Sequence, residues 1–343
     1  MEERQERKIK LGISIGDPNG VGIELILKVF QDKRMFDFFT PLVFANTKLM
    51  SAQRKHFDLQ TPFSPYVFGK KLSKNQLNIV EVFKQPFDTA FGEATEEAGK
   101  IAFASLKAAT KALKEDQIDV LVTAPINKKN IQSEDFNFPG HTDYLAKALE
   151  GESLMFMVSD DLRVGLLTDH IPVSEVATAI TPDLIKQKVA KMKASLTVDF
   201  GIPKPKIALL GINPHTGDNG VIGEEDDKVL RPTQQEIYAD GTLLFGPYAA
   251  DSFFGTELPQ QFDAVLATYH DQGLIPFKTL TFGKGVNFTA GLNKVRTSPD
   301  HGTAYDIAGK GKANTRSFEE ALFKAREIYF NRLEHTAYSE LAE

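Results

Sequence analysis

FDAVLATYHDQGLIPFK, residues 262–278, opens on a short branched apolar run, Ala264–Ala267, and ends it on His270-Asp271-Gln272-Gly273. The run is too short for a helix and apolar enough for a buried strand. It places an imidazole where a strand meets its loop, the edge at which open α/β sheets bind ligands. Two other runs repeat the pattern. RVGLLT (163–168) leads to Asp169-His170, and IALLGI (207–212) leads to Asn213-Pro214-His215. The chain has seven histidines in 343 residues, so three at strand ends are a concentration. Brought together, three imidazoles and an open coordination position make a catalytic site for zinc or a similar divalent ion. Taken singly, each can instead cap its strand and bond a neighbouring carbonyl.

The length favours two domains over one core. With 42% hydrophobic and 25% charged residues the composition is that of a globular protein. A net charge of −6 gives no bulk attraction for nucleic acid or an anionic membrane, so an anionic substrate needs a local basic patch. The absence of cysteine excludes disulfides, thiolate zinc sites and thiol nucleophiles, and fits a reducing cytoplasm. The charged start, MEERQERKIK, is followed by no apolar segment of signal-peptide length, and no run approaches a membrane helix. A cytoplasmic location is expected.

Along the chain, strands are expected at 9–15, 41–45 and 118–123, an antiparallel pair at 154–158 and 163–168, and helices at 23–30, 93–114, 184–196 and 318–332. Residues 50–90 read as surface strands and loops. The loop Gly16-Asp17-Pro18-Asn19-Gly20-Val21-Gly22 lacks the spacing of a dinucleotide fingerprint or P-loop, so it is a structural turn or a site for Asp17. Lys128, after the 118–123 strand, is a substrate contact or an ordinary surface lysine. His141 and Thr142 open a helix, with Thr142 its expected N-cap and the free amides able to hold an anion. Lys278, Lys284, Asn287, Lys294 and Arg296 thread a glycine-rich segment suited to a phosphate or carboxylate, or forming a solvated basic loop.

The motifs GDPNGVG, TAPINK, PGHTDYLA, TDHIPV, GINPHTGDNG, YHDQGLIPFK and GVNFTAGLNKVRTSPDHGTA, in that order across residues 12 to about 309, resemble the 4-hydroxythreonine-4-phosphate dehydrogenases of pyridoxal phosphate biosynthesis. The resemblance implies two α/β domains with a cleft, of the isocitrate and isopropylmalate dehydrogenase kind. We expect one from residues 1–128 with 301–343, and the other from 129–300. It implies a homodimer with its active site close to the subunit interface. It implies metal ligation by His170, His215 and His270, substrate contacts from His141, Thr142, Lys278, Asn287 and Arg296, and a catalytic Asp251 near the metal. HGTAYDIAGKGKAN (301–314) is similar to the adenosine loop of the wider group, which implies NAD near His301 and Asn314. The implied reaction is NAD-dependent oxidation and decarboxylation of 4-phosphooxy-L-threonine to 3-amino-2-oxopropyl phosphate, with zinc, magnesium or cobalt. Relatives acting on phosphorylated sugar acids supply the alternative. Ile23 and the Ala290–Val295 segment depart from the usual pattern, which bears on the substrate. A metal-dependent hydrolase built on the three histidines would need a general base beside the metal water and no NAD loop; a non-catalytic binding protein would turn over no substrate and leaves the three strand-end histidines unexplained.

Overall fold

The computed structural model of the chain describes residues 8–342; the first seven residues of the charged start lie outside it. The strands are β1 (Ile9–Ser14), β2 (Phe39–Ala45), β3 (Phe63–Tyr66), β4 (Leu77–Glu81), β5 (Val120–Thr123), β6 (Leu154–Val158), β7 (Arg163–Leu166), β8 (Ile207–Leu210), β9 (Leu244–Tyr248), β10 (Ala264–Ala267), β11 (Val286–Ala290) and β12 (Val295–Pro299). The longer helices are α1 (Gly22–Val29), α2 (Thr47–His56), α3 (Glu96–Lys114), α4 (His141–Ala148), α5 (Pro182–Val198), α6 (Arg231–Ala239), α7 (His270–Thr281) and α8 (Arg316–Ala342). Contacts divide the chain into two α/β units, Met1–Gly151 with Leu292–Phe330, and Glu152–Gly291 with Asn331–Glu343. Residues 129–151 and 292–300, expected in the second domain, group by contacts with the first unit, and 331–343, expected in the first, group with the second.

The strands of unit 1 follow the order β3-β4-β2-β1-β5-β12, every pairing parallel. Parallel strands are covered on both faces, which is why all of β5, and all of β1 except Lys10, is buried. Between β1 and β5 the chain order reverses, and the GDPNGVG and TAPINK loops leave their carboxyl ends there. α3 starts where the Thr95 side chain caps the Ala98 amide, with Glu96 and Glu97 in its first turn and Lys111 and Lys114 in its last. It buries Ala102, Leu106, Ala109 and Leu113 on one face. Leu113 joins Leu42, Phe44 and Leu121 in a shared core. Each such fully buried Leu or Phe is worth roughly 1.5–3 kcal/mol.

Unit 2 runs β11-β6-β7-β10-β8-β9. β11, β6 and β7 pair antiparallel, while β7, β10, β8 and β9 are parallel. The expected antiparallel pair is therefore β6 and β7. β10 lies between β7 and β8, so the three runs that end in histidines are immediate neighbours. Helix α7 packs Leu274 and Phe277 against Val164, Leu166, Val265 and Ala267. Among the described residues no helix is long and apolar enough to cross a membrane.

Several expectations need correcting. Residues 50–90 are not only strands and loops, because α2 occupies 47–56, capped by Asn46, whose side chain accepts the Lys48 and Leu49 amides. α7 begins at His270 itself, and no loop intervenes between that histidine and the helix. Thr142 is not an N-cap: α4 is preceded by Gly140, and Thr142 lies inside its first turn.

Candidate active site

At the carboxyl edge of unit 2 the neighbouring strands stay joined beyond their ends. The Leu167 amide donates to the Ala267 carbonyl at 2.8 Å, and the Thr168 amide to Thr268 O at 3.2 Å. The Thr168 hydroxyl bonds the same Thr268 carbonyl at 2.8 Å. His170 and His270 each follow their threonine by two residues. Their ring centroids stand 5.9 Å apart. They share a pocket of about 260 Å³ with Thr168, Asp169, Tyr269 and Asp271. His270 Nδ1 lies 2.7 Å from the Asp271 carboxylate. Donation of Nδ1–H to that carboxylate leaves Nε2 as a lone-pair donor, the arrangement common in metal-bound histidines.

His215 stands on the loop after β8. It has φ +52, and Thr216, Asp218 and Asn219 are likewise left-handed. Successive non-glycine residues in that region are uncommon and cost of order 1–3 kcal/mol each, so the loop must be held from outside. The holder is Asp226, fully buried, which accepts the Ile212 amide at 2.9 Å, the Asn213 amide at 3.0 Å and Asn213 Nδ2 at 3.1 Å. As placed, the described residues contain no group of three or more His, Asp or Glu side chains close enough to hold a metal. The structure brings His170 and His270 together and leaves His215 outside that pair. The donor chemistry nevertheless fits a divalent cation: three imidazoles on adjacent strand edges, with no thiolate. Two imidazoles at about 2.0–2.1 Å from one tetrahedral ion have centroids roughly 5 Å apart, a little closer than His170 and His270 stand.

The other expected residues of unit 2 are spread along its elements. Asp251 is exposed in the first turn of the short helix Ala250–Phe254. Lys278 is exposed on α7. Asn287 lies on β11, and its Oδ1 is buried with no hydrogen-bond partner among the described residues.

Unit 1 holds the remainder. Arg296 is on β12, 1% exposed, so it is no part of a solvated basic loop. Its neighbour across the ladder is Leu121 on β5, which puts Thr123 on the same face two residues on. Arg296 Nε and Nη2 donate to Thr123 Oγ1 at 3.1 and 2.6 Å. Burial lowers the guanidinium pKa to about 9. His141 opens α4, its Nε2 buried and without a hydrogen-bond partner among the described residues. Burial, and then the charges of Arg296 and Lys128, hold it well below the ordinary histidine value, so it is neutral near pH 7. Thr142 is half-buried beside it. A neutral ring, a buried guanidinium and an exposed lysine within electrostatic range of one another are chemistry suited to an anion.

The 301–314 segment folds onto the GDPNGVG loop of the same unit. The Val21 amide donates to Thr303 O at 3.1 Å. The Tyr305 hydroxyl donates to Asp17 Oδ2 at 2.7 Å, and Asn130 Nδ2 to the same oxygen at 2.8 Å. Asp17 is therefore a buried organiser at the point where strand order reverses. Burial and then Asp17 push the Tyr305 hydroxyl above the ordinary tyrosine value. His301 Nδ1 contacts Gly302 O at 2.9 Å while its Nε2 is buried without a partner among the described residues; Asn314 is exposed, its side chain accepting the Arg316 amide at 2.9 Å. Tyr305, Asn130 and Asp226 were missed from sequence; their signal was only that each is a polar residue near a strand-end motif.

The family profile described as "Pyridoxal phosphate biosynthetic protein PdxA" matches residues 37–325. A 4-hydroxythreonine-4-phosphate dehydrogenase from Bacteroides thetaiotaomicron is 46% identical over 330 residues, 96% of this chain and 91% of that protein. A putative D-threonate 4-phosphate dehydrogenase from Oceanobacillus iheyensis is 36% identical, over 94% of this chain and 98% of its own. The crystal structure of a 4-hydroxythreonine-4-phosphate dehydrogenase from Burkholderia phymatum superposes with a TM-score of 0.77 at 33% identity, covering 94% of this chain and 98% of that one. A profile match over most of the chain, and near full-length relatives at this identity, make this protein a member of the PdxA family.

Proposed function

We propose that the protein is an NAD-dependent, divalent-metal-dependent dehydrogenase that oxidises the C3 hydroxyl of 4-phosphooxy-L-threonine and releases carbon dioxide, giving 3-amino-2-oxopropyl phosphate for pyridoxal phosphate synthesis. The observation that carries this reading is the 46% identical dehydrogenase matched over 96% of the chain. The buried guanidinium of Arg296, with the exposed Lys128 close enough to act on the same His141 ring, supports a phosphorylated substrate. We assign it, with His141, Thr142, Lys278 and Asn287, to substrate binding. Neutral His141 can exchange a hydrogen bond with a phosphate or carboxylate oxygen without a second buried charge. Arg296 and Lys278 supply the positive charge.

His170, His215 and His270 are proposed as the metal donors, which requires His215 to join the paired rings. When bound, the cation supplies Lewis acidity toward the substrate hydroxyl and toward the enolate left by decarboxylation, and the nicotinamide accepts the hydride. Asp271 fixes the His270 tautomer. Asp251 is assigned to proton transfer. The 301–314 segment, with His301 and Asn314, is assigned to the adenosine end of NAD. A cytoplasmic homodimer is the proposed working form.

NADH formation from 4-phosphooxythreonine tests the reading. The parent should turn over; His215→Ala or prior removal of zinc, magnesium or cobalt by chelation should lower the rate at least a hundredfold. Full activity in either case overturns the metal mechanism. The Oceanobacillus relative favours one alternative, oxidation of a phosphorylated sugar acid such as threonate or erythronate 4-phosphate. A higher kcat/KM on those acids than on the amino acid, measured side by side, would establish it.

A further inference from the structure

Glu24 and Lys28, one turn apart on α1, form an ion pair that holds the 301–314 segment. Glu24 is fully buried, and Lys28 Nζ lies 2.7 Å from its Oε1, with the acid on the N-terminal side, the better order for such a pair. The same Oε1 accepts the Ala313 amide at 2.9 Å. Lys28 Nζ donates to the Gly311 carbonyl at 2.8 Å and to the Ala313 carbonyl at 3.1 Å. Both backbone polar groups of Ala313 are therefore taken, one by each partner of the pair, and Asn314 is the next residue. Earlier in the segment, His56 Nε2 at the end of α2 lies 2.8 Å from the Gly309 carbonyl oxygen. Three alternate carbonyls, of 309, 311 and 313, are thus turned toward donors on α1 and α2. Gly309 has φ +75, and a Cβ there would stand 2.6 Å from the Phe91 ring, so the backbone runs close against that side chain.

We infer that Glu24 and Lys28 are positioning residues that set the backbone before Asn314, and so the affinity of the segment for the adenosine end of NAD. The inference rests on the assignment of 301–314 to that cofactor, for which His301 offers a buried Nε2 without a partner among the described residues and Asn314 an exposed side chain. A glycine-rich run has little conformational preference of its own, and Gly309 and Gly311 both sit at positive φ. Left unheld it would populate several shapes, and a ligand that fits one of them loses affinity in proportion to the fraction populated. An ammonium suits the two carbonyls because it has three donors and no acceptor, one donor for each carbonyl and one for Glu24. The carboxylate supplies what the lysine lacks, an acceptor for the Ala313 amide. Being buried, it also needs the cation beside it, since removing one partner of such a pair leaves an uncompensated charge.

The test is calorimetric titration of NAD, and separately of inorganic phosphate, into the full-length protein. Lys28→Met should bind NAD at least about tenfold more weakly, as expected when the binding shape falls to roughly a tenth of the population, and should bind phosphate as the parent does. In turnover its KM for NAD should rise with kcat unchanged. Lys28→Arg keeps the charge and the donors and should recover most of the NAD affinity. If Lys28→Met does not fold because Glu24 is left without its cation, Glu24→Gln combined with Lys28→Met removes that charge, keeps an acceptor for the Ala313 amide and should show the same selective loss. Asn314→Ala separates the two claims. Weakened NAD binding in Asn314→Ala with parental binding in the Lys28→Met protein overturns the positioning pair alone. Equal loss of NAD and phosphate binding in Lys28→Met also overturns it, making the pair a general support of the fold. No NAD binding by the parent, or parental binding in both Asn314→Ala and His301→Ala, overturns the cofactor assignment beneath it.

Discussion

A guanidinium 1% exposed inside a β-sheet unit needs a reason. Burial holds Arg296 at about 9, which means the fold disfavours its charge. The sign follows from linkage: the cost to stability is full below pH 9 and is relieved as pH rises from 9 toward 12.5, because there the unfolded chain binds the proton that the folded one has released. A bound phosphate reverses the balance by pairing with the charge. Phosphate affinity, read by calorimetry with inorganic phosphate, should therefore fall as pH rises through about 9, where phosphate's own ionisation near neutrality is already complete. In Arg296→Met the affinity should be ten- to a hundredfold lower, as expected for losing a charge-assisted bond of about 1.5–3 kcal/mol, and the step at pH 9 should vanish. The melting temperature should hold or rise, since replacing a buried charge with an apolar side chain is often neutral or stabilising. A large drop in melting temperature with unchanged phosphate affinity would make Arg296 structural. At this scale the sequence was informative about which histidines follow strands and silent about partners. Nothing in HDQG distinguishes Asp271, a ring-fixing carboxylate, from Gln272, whose amide bonds Thr268 and Gly211. The buried bonds of Asp17 with Tyr305 join residues 288 positions apart, a separation no local pattern encodes.

Helix α7 is the element on which the histidine edge depends. Gly273 faces the sheet, and a Cβ there would come within 2.8 Å of Val164 Cγ1, 2.9 Å of Ala267 Cβ and 3.1 Å of Leu166 Cδ2. The close approach lets the helix start immediately after β10 and still lie on the sheet. Gly273→Ala gains up to about 1 kcal/mol of helix propensity but overpacks a filled core at about 1–3 kcal/mol, so the net should be destabilising. Because the displacement lifts the turn carrying His270 and Gln272, cobalt affinity should fall with stability. A stabilised variant with parental affinity would mean that the helix has slack. Elements buried on both faces were the easiest to read, since β8 and β10 are continuous apolar runs and β1 and β5 are interrupted only by Lys10, Ser14 and Thr123. α2 was harder because its mean character is polar, although Asn46 followed by a helical stretch was an available cap signal. α7 was obscured by Pro276, a residue that argues against a helix interior yet sits inside this one.

For the whole chain, the two candidate groups are divided between the contact units. The proposed metal donors all belong to Glu152–Gly291, while His141, Thr142 and Arg296 belong to the unit built from Met1–Gly151 and Leu292–Phe330. That division was not legible beforehand, since residues 129–151 and 292–300 look from sequence like part of the histidine-bearing domain. Only the pairing of β12 with β5 and the shared core of Leu145, Leu149 and Leu292 with Leu121 assign them to unit 1. A ligand stabilises what it binds by mass action, about 2.7 kcal/mol at a hundredfold excess over Kd, and local opening reports where that energy is applied. Amide hydrogen exchange on metal-free protein should therefore resolve the groups. Cobalt(II) alone should slow exchange at residues 166–171, 211–217 and 267–273. Inorganic phosphate alone should slow it at residues 120–128, 140–146 and 294–298, and this protection should disappear in Arg296→Met. Protection by cobalt confined to unit 1, or by phosphate absent from unit 1, would mean that the chemistry has been assigned to the wrong residues, whatever the enzyme's turnover.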